Sequence, residues 1–119
     1  MKLEIHQAGE KSIVEVLSEE KLINNPQEGL QLLADIYYQG YDRMILQDKN
    51  LDPDVFELKN GLLGEILQKF SNYRMRLAIV GDFSKYPGKS IRDFIYESNN
   101  GRMVNFVPTV EEAIARLSK

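Results

Sequence analysis

Residues 76–81 read Arg76-Leu77-Ala78-Ile79-Val80-Gly81, a continuous apolar run of strand length. Such a run is typical of a strand that is buried on both faces of a parallel sheet. A polar loop follows from Asp82 to Lys89, and Ser90-Ile91-Arg92-Asp93 then has the spacing of a helix capping box. This part of the chain therefore predicts a central strand, a loop at its carboxyl end, and a helix capped by Ser90.

The alternation of strand and helix continues on both sides of this run. Gly61 and Gly64 fall inside the helix predicted before it, and we interpret them as the point where that helix comes closest to the sheet. The other elements predicted around the run are a strand at Arg43–Gln47, a helix in one or two pieces from the Asp52 cap to about Tyr73, a strand at Met103–Val107 and a helix capped by Thr109.

The first part of the chain predicts a β-hairpin and one more helix. Leu3–Gln7 alternates apolar and polar residues, and Ser12–Leu17 is rich in β-branched residues, with a glycine-containing turn between them. Asn25 and Pro26 are a cap and a first-turn proline. The order is thus β-β-α-β-α-β-α-β-α, which predicts an α/β fold with a mixed, mostly parallel sheet and an N-terminal hairpin.

Length and composition limit the function classes. The chain has 119 residues, of which 43% are hydrophobic, and we expect a single domain over residues 1–119. There is no cysteine, which excludes disulfides and thiolate chemistry. The first residues carry charge where a signal peptide needs an apolar stretch, and no apolar run approaches the ~18 residues of a membrane span. We therefore expect a cytoplasmic protein without membrane contact.

The charge is unevenly distributed. The net charge is −3, which argues against general nucleic-acid binding. Residues 69–92, however, contain six basic residues and one acidic residue. This excess is explained either by ordinary solvated surface or by a face that binds an anion or an acidic partner, and both interpretations stay open.

Several stretches resemble a family of small bacterial proteins known as domain-of-unknown-function family 4180. The similarity runs over nearly the whole chain, but the family name implies no activity. The stretches that carry it are Phe56-Glu57-Leu58-Lys59, Gly64-Glu65-Ile66-Leu67-Gln68-Lys69-Phe70, Leu77-Ala78-Ile79-Val80-Gly81-Asp82-Phe83-Ser84-Lys85-Tyr86 and Arg92-Asp93-Phe94-Ile95-Tyr96-Glu97-Ser98.

The order of elements also resembles the STAS-like fold of anti-sigma-factor antagonists and of the cytoplasmic tails of sulfate transporters. That resemblance implies partner binding rather than a reaction. In STAS-type antagonists, a serine at the start of the helix after the third strand is phosphorylated as a switch. The corresponding stretch here, Leu58-Lys59-Asn60-Gly61, has the glycine but no hydroxyl. The phosphorylation switch is therefore not expected in this chain.

The loop after the central strand is the candidate binding site. Ligands of open parallel sheets bind at the carboxyl ends of strands, and a helix N-terminus favours an anion. We expect a ligand or a partner to contact Asp82, Ser84, Lys85, Tyr86, Lys89 and Ser90.

Two known phosphate chemistries do not fit this loop. The spacing of a phosphate-binding P-loop fails, because Phe83 stands where that motif needs its first glycine. A receiver-type phosphorylated aspartate at Asp82 would need an acidic cluster for Mg²⁺, and Asp48 is the only other acid near a strand end. The loop therefore predicts binding of an anion without either of these motifs.

No catalytic residue and no metal site is predicted. His6 is the only histidine, lies out of phase with Leu3 and Ile5, and has no orienting partner that the sequence identifies. We expect no cofactor, and we expect a non-catalytic module that binds a protein partner or acts in regulation. The alternative is a domain or an undetected enzyme that binds a small anionic ligand at residues 82–90. Self-association into a homo-oligomer through an edge strand is also an expectation.

Overall fold

The computed structural model describes residues 1–119 and has the mixed, mostly parallel sheet that the sequence predicts. The five strands lie in the order β1-β2-β3-β4-β5, with β1 antiparallel to β2 and all other neighbours parallel. The elements are β1 (Lys2–Ala8), β2 (Lys11–Leu17), α1 (Pro26–Tyr37), β3 (Arg43–Gln47), α2 (Leu62–Asn72), β4 (Arg76–Val80), α3 (Lys89–Asn100), β5 (Val104–Val107) and α4 (Val110–Leu117).

The two faces of the sheet are covered differently. Alternate side chains of a strand point to opposite faces, so each strand contributes to two cores. Helices α1, α2 and α3 pack on one face, over the larger core that contains Met44, Leu46, Leu77 and Ile79. Helix α4 packs alone on the other face and contacts β3, β4 and β5. Ile13 of β2 also belongs to this second core, but the main contacts of α4 are with β3, β4 and β5 and not with the N-terminal hairpin.

The segment between β3 and α2 differs from the predicted helix. It forms three short 3₁₀ turns at Asp48–Asn50, Pro53–Phe56 and Leu58–Asn60 before the α-helix begins at Leu62. Asp52 does cap its turn, because its Oδ1 accepts a hydrogen bond from the Asp54 amide at 2.9 Å.

The helix glycines have a different role from the predicted one. Gly61 has a left-handed φ of 76°, which ends the last 3₁₀ turn and starts α2 in a new direction. Gly61 and Gly64 are exposed and have no atom within 4 Å of an added Cβ, so their predicted contact with the sheet is wrong. The helix glycine that lies close to another element is Gly29 of α1, because a Cβ added there would lie 3.3 Å from Ile66 of α2.

The start of α3 also differs from the prediction. The helix begins at Lys89 after Gly88, which has a φ of 108° and provides no capping side chain. Ser90 lies in the first turn rather than at the cap, so the predicted capping box is wrong. The reason is that Gly88 turns the chain two residues before Ser90, where only glycine adopts that backbone conformation without strain. None of the four helices is long and apolar enough to cross a membrane.

Candidate functional site

The loop after β4 meets the segment after β3 at the carboxyl end of the sheet. Gln47 and Val80 are paired in the parallel register, so the next residues, Asp48 and Gly81, become neighbours. A Cβ added at Gly81 would lie only 2.5 Å from the Asp48 Cγ. Glycine at this position therefore allows the Asp48 side chain to pack directly against the backbone of the loop. We call Lys21 and residues 48–59 and 82–91 together the carboxyl-end site.

Asp48 is the centre of a small polar cluster. Its side chain is only 10% exposed, and its Oδ2 lies 2.6 Å from the Lys85 Nζ. The Tyr86 hydroxyl donates a longer hydrogen bond of 3.3 Å to the same oxygen. Two residues of the predicted site are thus brought together by a carboxylate from the neighbouring strand.

The contacts of Asp48 change the acidity of both partners. The hydrogen bond to Asp48 raises the pKa of Lys85 above its usual value. Burial of the hydroxyl, followed by the negative charge of Asp48, raises the pKa of Tyr86. At neutral pH the lysine is therefore charged, the phenol is neutral, and the positive charge of Lys85 is balanced by Asp48.

Aromatic packing anchors this loop to the core. The Tyr86 ring stacks on Phe56, with centroids 4.4 Å apart and an interplanar angle of 26°. Phe83 packs edge-on against Phe106 of β5 at a centroid distance of 5.2 Å. Such aromatic pairs add about 0.5–1.5 kcal/mol each beyond the area that they bury. The loop therefore has a defined shape even though most of its polar residues are exposed.

The other predicted residues make local pairs. The Asp82 Oδ1 accepts hydrogen bonds from the Ser84 hydroxyl at 2.6 Å and from the Ser84 amide at 3.1 Å. These bonds lower the pKa of Asp82, which is otherwise exposed to solvent. Lys89 lies 2.6 Å from Asp93 in an exposed pair on α3. Asp82 and Ser84 thus shape the loop, and Lys89 points along the helix surface.

Two depressions lie on either side of Tyr86 and Pro53. The first, which we call the aromatic groove, has a volume of about 470 Å³, and the second, which we call the lysine pocket, has a volume of about 390 Å³. The aromatic groove is lined by Pro53, Asp54, Phe56, Glu57, Leu58, Lys59, Tyr86, Pro87, Gly88, Ser90 and Ile91. The lysine pocket is lined by Lys21, Asp48, Lys49, Leu51, Pro53, Lys85 and Tyr86.

The two depressions differ in charge. Three lysines and one aspartate line the lysine pocket, which leaves two positive charges in excess. Of these lysines, Lys49 also contacts Glu19, but both side chains of that pair are at least half exposed. Exposed ion pairs of this kind contribute about 0–1 kcal/mol, so Lys49 can turn to a ligand at little cost. The aromatic groove holds two acidic residues and Lys59, and its floor is apolar.

Sequence reasoning missed several residues of this site. Asp48 and Lys49 reach the loop through the pairing of β3 with β4, and Lys21 comes close because the amides of Leu22 and Ile23 donate to the Asn50 carbonyl. The glycine directly after β4 was the one local signal of a close neighbour there. The six basic residues within residues 69–92 do not lie on one face of the protein, because Arg76 lies at the opposite end of the sheet from Lys85.

A family model matches residues 8–117, which include the whole carboxyl-end site. That family is described as a domain of unknown function, DUF4180. The chain belongs to the DUF4180 family. No curated protein and no solved structure gives a significant match to this DUF4180 chain. The match thus confirms the resemblance to the domain-of-unknown-function family over most of the chain and adds no activity to it.

Proposed function

We propose that the chain is a non-catalytic binding module that takes up an extended segment of a protein partner at the carboxyl-end site. An acidic side chain of the partner enters the lysine pocket, and a neighbouring apolar side chain lies in the aromatic groove. The observation that carries this proposal is that Tyr86 and Pro53 line both depressions, so a basic pocket adjoins a groove that contains the apolar side chains of Phe56, Leu58 and Ile91.

The lysine pocket supports recognition of an anionic group. The Asp48 carboxylate holds Lys85 in place, and the exposed Lys21 and Lys49 line the same pocket. Positive charge that exceeds its internal partners attracts an anion and speeds its association. Because Lys21 and Lys49 are long and exposed, they can close on carboxylates of different reach.

The aromatic groove supports recognition of an apolar neighbour. Stacking holds Phe56 and Tyr86 in place, so the groove exists before a partner arrives. Preformed apolar surface of this kind lowers the entropic cost of binding. Leu58 and Lys59, which belong to the stretch that corresponds to the STAS switch, also line the groove. The STAS-like resemblance thus supports partner binding at the same place.

A second candidate is a small anionic molecule in the lysine pocket alone. The excess of two positive charges and the volume of about 390 Å³ favour it, since small-molecule pockets run from about 300 to 1,000 Å³. The two candidates share the chemistry of the anion and differ in whether the aromatic groove is used.

The test is selection of a random peptide library on the immobilised chain, followed by calorimetric titration of the enriched peptide. We expect enrichment of sequences with an acidic residue next to an apolar one. The double variant Lys21→Met/Lys49→Met should lower the affinity for that peptide by about tenfold or more, since charge-assisted contacts contribute about 1.5–3 kcal/mol each. The matched control Lys11→Met/Lys119→Met, with lysines outside the site, should change the affinity less than about twofold.

A parallel arm separates the two candidates. Inorganic phosphate and citrate are titrated by thermal unfolding with the same two double variants. Small-anion binding that requires Lys21 and Lys49, without any enriched peptide, would favour the second candidate. A peptide whose affinity is the same in both double variants would contradict the assignment of the lysine pocket.

A further inference from the structure

On the side of the sheet where α4 packs, the N-terminal hairpin carries three side chains of the types that bind metal ions. Glu4 on β1 is paired directly with Glu15 on β2, and His6 lies one pleat further along β1, opposite Ile13. In an antiparallel pair these positions point to the same face, and Glu15 is the diagonal neighbour of His6. The three side chains therefore converge although they lie up to 11 positions apart in the sequence.

The distances between these side chains fit binding to one ion. The His6 Nε2 lies 2.8 Å from the Glu15 Oε1, and the ligand atoms of all three residues lie within 4.8 Å of one another. In a tetrahedral zinc site, ligand atoms at 2.0–2.2 Å from the ion lie about 3.3–3.6 Å apart. Binding therefore requires the exposed Glu4 side chain to rotate toward the other two, and His6 and Glu15 to move slightly apart.

Burial supplies a second, independent reason to expect a cation. The side chain of Glu15 is only 8% exposed, and its hydrogen-bond partner is the His6 ring. A buried carboxylate is costly unless a positive charge or several donors compensate it. Like charges directly opposite each other on paired strands are also destabilising, as Glu4 and Glu15 are. A divalent ion satisfies both carboxylates at once.

The kind of donor selects the kind of ion. One imidazole nitrogen with two carboxylates suits zinc and other first-row divalent ions, while magnesium and calcium prefer oxygen ligands alone. His6 is about one quarter exposed, so water can reach the site and fill the remaining coordination positions. A three-residue site that keeps a water ligand is the usual pattern of a zinc site that is open to solvent.

We propose that Glu4, His6 and Glu15 form a binding site for a divalent first-row metal ion, with zinc as the preferred occupant. The ion takes the place of the hydrogen bond between His6 and Glu15 and links β1 to β2 through their side chains. Strand β1 is an edge strand of seven residues whose ladder bonds go to β2 alone. Metal binding therefore stabilises the hairpin and holds the exposed edge of the sheet in register. This site is separate from the carboxyl-end site and does not depend on the proposed function.

The test uses the full chain without a histidine tag, titrated with zinc and, separately, with cobalt(II). Zinc at about a hundred times its dissociation constant should raise the melting temperature by about 8 °C or more. Cobalt(II) should develop visible absorption bands that zinc abolishes. His6→Gln and Glu4→Gln should each weaken binding by about tenfold or more, because even the loss of an outer partner of a metal ligand costs about 10–100-fold.

The matched control is Glu10→Gln, which removes an exposed carboxylate from the turn of the same hairpin. It should bind zinc as the unaltered chain does. Glu15→Gln can unfold the hairpin, and for that reason the assignment is tested with His6→Gln and Glu4→Gln, whose side chains are more exposed. The proposal is overturned if zinc leaves the melting temperature unchanged, or if His6→Gln binds zinc as tightly as the Glu10→Gln control.

Discussion

The two ends of the parallel sheet both carry basic residues, but they use them differently. At the amino end, Arg43 and Arg76 begin β3 and β4 and are paired side by side in the register. The Arg43 Nε donates a hydrogen bond of 2.6 Å to the Leu117 carbonyl, and the Arg76 Nη2 donates one of 3.0 Å to the Arg116 carbonyl. These carbonyls end α4, where helical backbone acceptors lack partners. The arginines therefore hold α4 against the sheet.

At the carboxyl end the positive charges are lysines near a pocket. Lys85 is bound to Asp48, and the exposed Lys21 and Lys49 line the lysine pocket. A guanidinium has fixed, planar donors suited to several buried acceptors, and an ammonium on a flexible stem adapts to a ligand. A group of positive charges alone therefore does not indicate a binding face, because the arginines at the amino end already bind the carbonyls of α4.

The arginines at the amino end also repel one another. Burial, followed by the charges of Arg43 and Arg102, lowers the pKa of Arg76. The guanidinium nonetheless stays charged near neutral pH. The helix carbonyls and Asp42, which lies 2.8 Å from Arg43, offset the mutual repulsion of the arginines. Loss of one arginine at this end should therefore affect stability far more than loss of one lysine at the other.

The largest effect is expected for Arg43→Ala. The change leaves the Leu117 carbonyl without its partner and opens space around a side chain that is only 10% exposed. A hydrogen bond to a charged group contributes about 1.5–3 kcal/mol, so we expect the free energy of unfolding to fall by about 2–4 kcal/mol. Urea unfolding followed by circular dichroism measures it. Lys21→Ala is the control from the carboxyl end, with an expected change of less than about 0.5 kcal/mol. Equal losses in the two variants would refute the contrast between the ends.

An intermediate effect is expected for Gly81→Ala at the carboxyl end. The new methyl group would lie 2.5 Å from the Asp48 Cγ and would push Asp48 away from Lys85 and Tyr86. Overpacking of this kind costs about 1–3 kcal/mol of unfolding free energy. Repeating the change in an Asp48→Gly background should cost less, since the obstructing side chain is then absent. A cost that is the same in both backgrounds would show that Asp48 is not what Gly81 accommodates.

Much of the fold could be predicted from the sequence, because it is encoded in local patterns. The apolar run at residues 76–80, the alternation in β1 and the Asn25 cap all specify their elements within a few residues, and the alternation of elements predicts the mostly parallel sheet but not the order of its strands. The segment after β3 could not be predicted in the same way. Its cap at Asp52 is genuine, but the sequence predicts a helix in one or two pieces where the structure has 3₁₀ turns that end at the left-handed backbone of Gly61.

The sites were harder to predict, because they depend on pairing between distant segments. The sequence identifies no residue that orients His6. In the structure that residue is Glu15 on the next strand, and the apolar–polar pattern of β2 does not single it out. Likewise, Lys85 and Lys89 look alike in sequence, yet Lys85 contacts buried Asp48 and Lys89 contacts exposed Asp93. Only the register of the strands and the start of α3 separate these roles.

The smallest effect is an alkaline loss of stability that arises at the carboxyl end. The folded state raises the pKa of Lys85 through its hydrogen bond to Asp48, and that of Tyr86 through burial. A group whose pKa is raised by folding contributes stability that is complete below its unfolded pKa, and that contribution is lost as the pH rises through the folded pKa. The unfolded values are 10.5 for the lysine and 10.0 for the tyrosine, so the loss begins above about pH 10. The amino-end arginines do not contribute, since guanidinium groups stay charged there.

Comparison with Asp48→Asn separates this loss of stability from the loss that repulsion between negative charges causes in the whole protein at alkaline pH. The amide cannot raise the pKa of Lys85 as the carboxylate does, and it also removes a negative charge beside the Tyr86 hydroxyl. The unaltered chain should therefore lose unfolding free energy more steeply than Asp48→Asn between pH 9 and pH 11, as measured by urea unfolding at each pH. The effect is small because Lys85 is more than half exposed, and solvent screens the pair. Parallel curves for the two chains would mean that the ion pair at Asp48 contributes no more to the fold than the exposed pairs do.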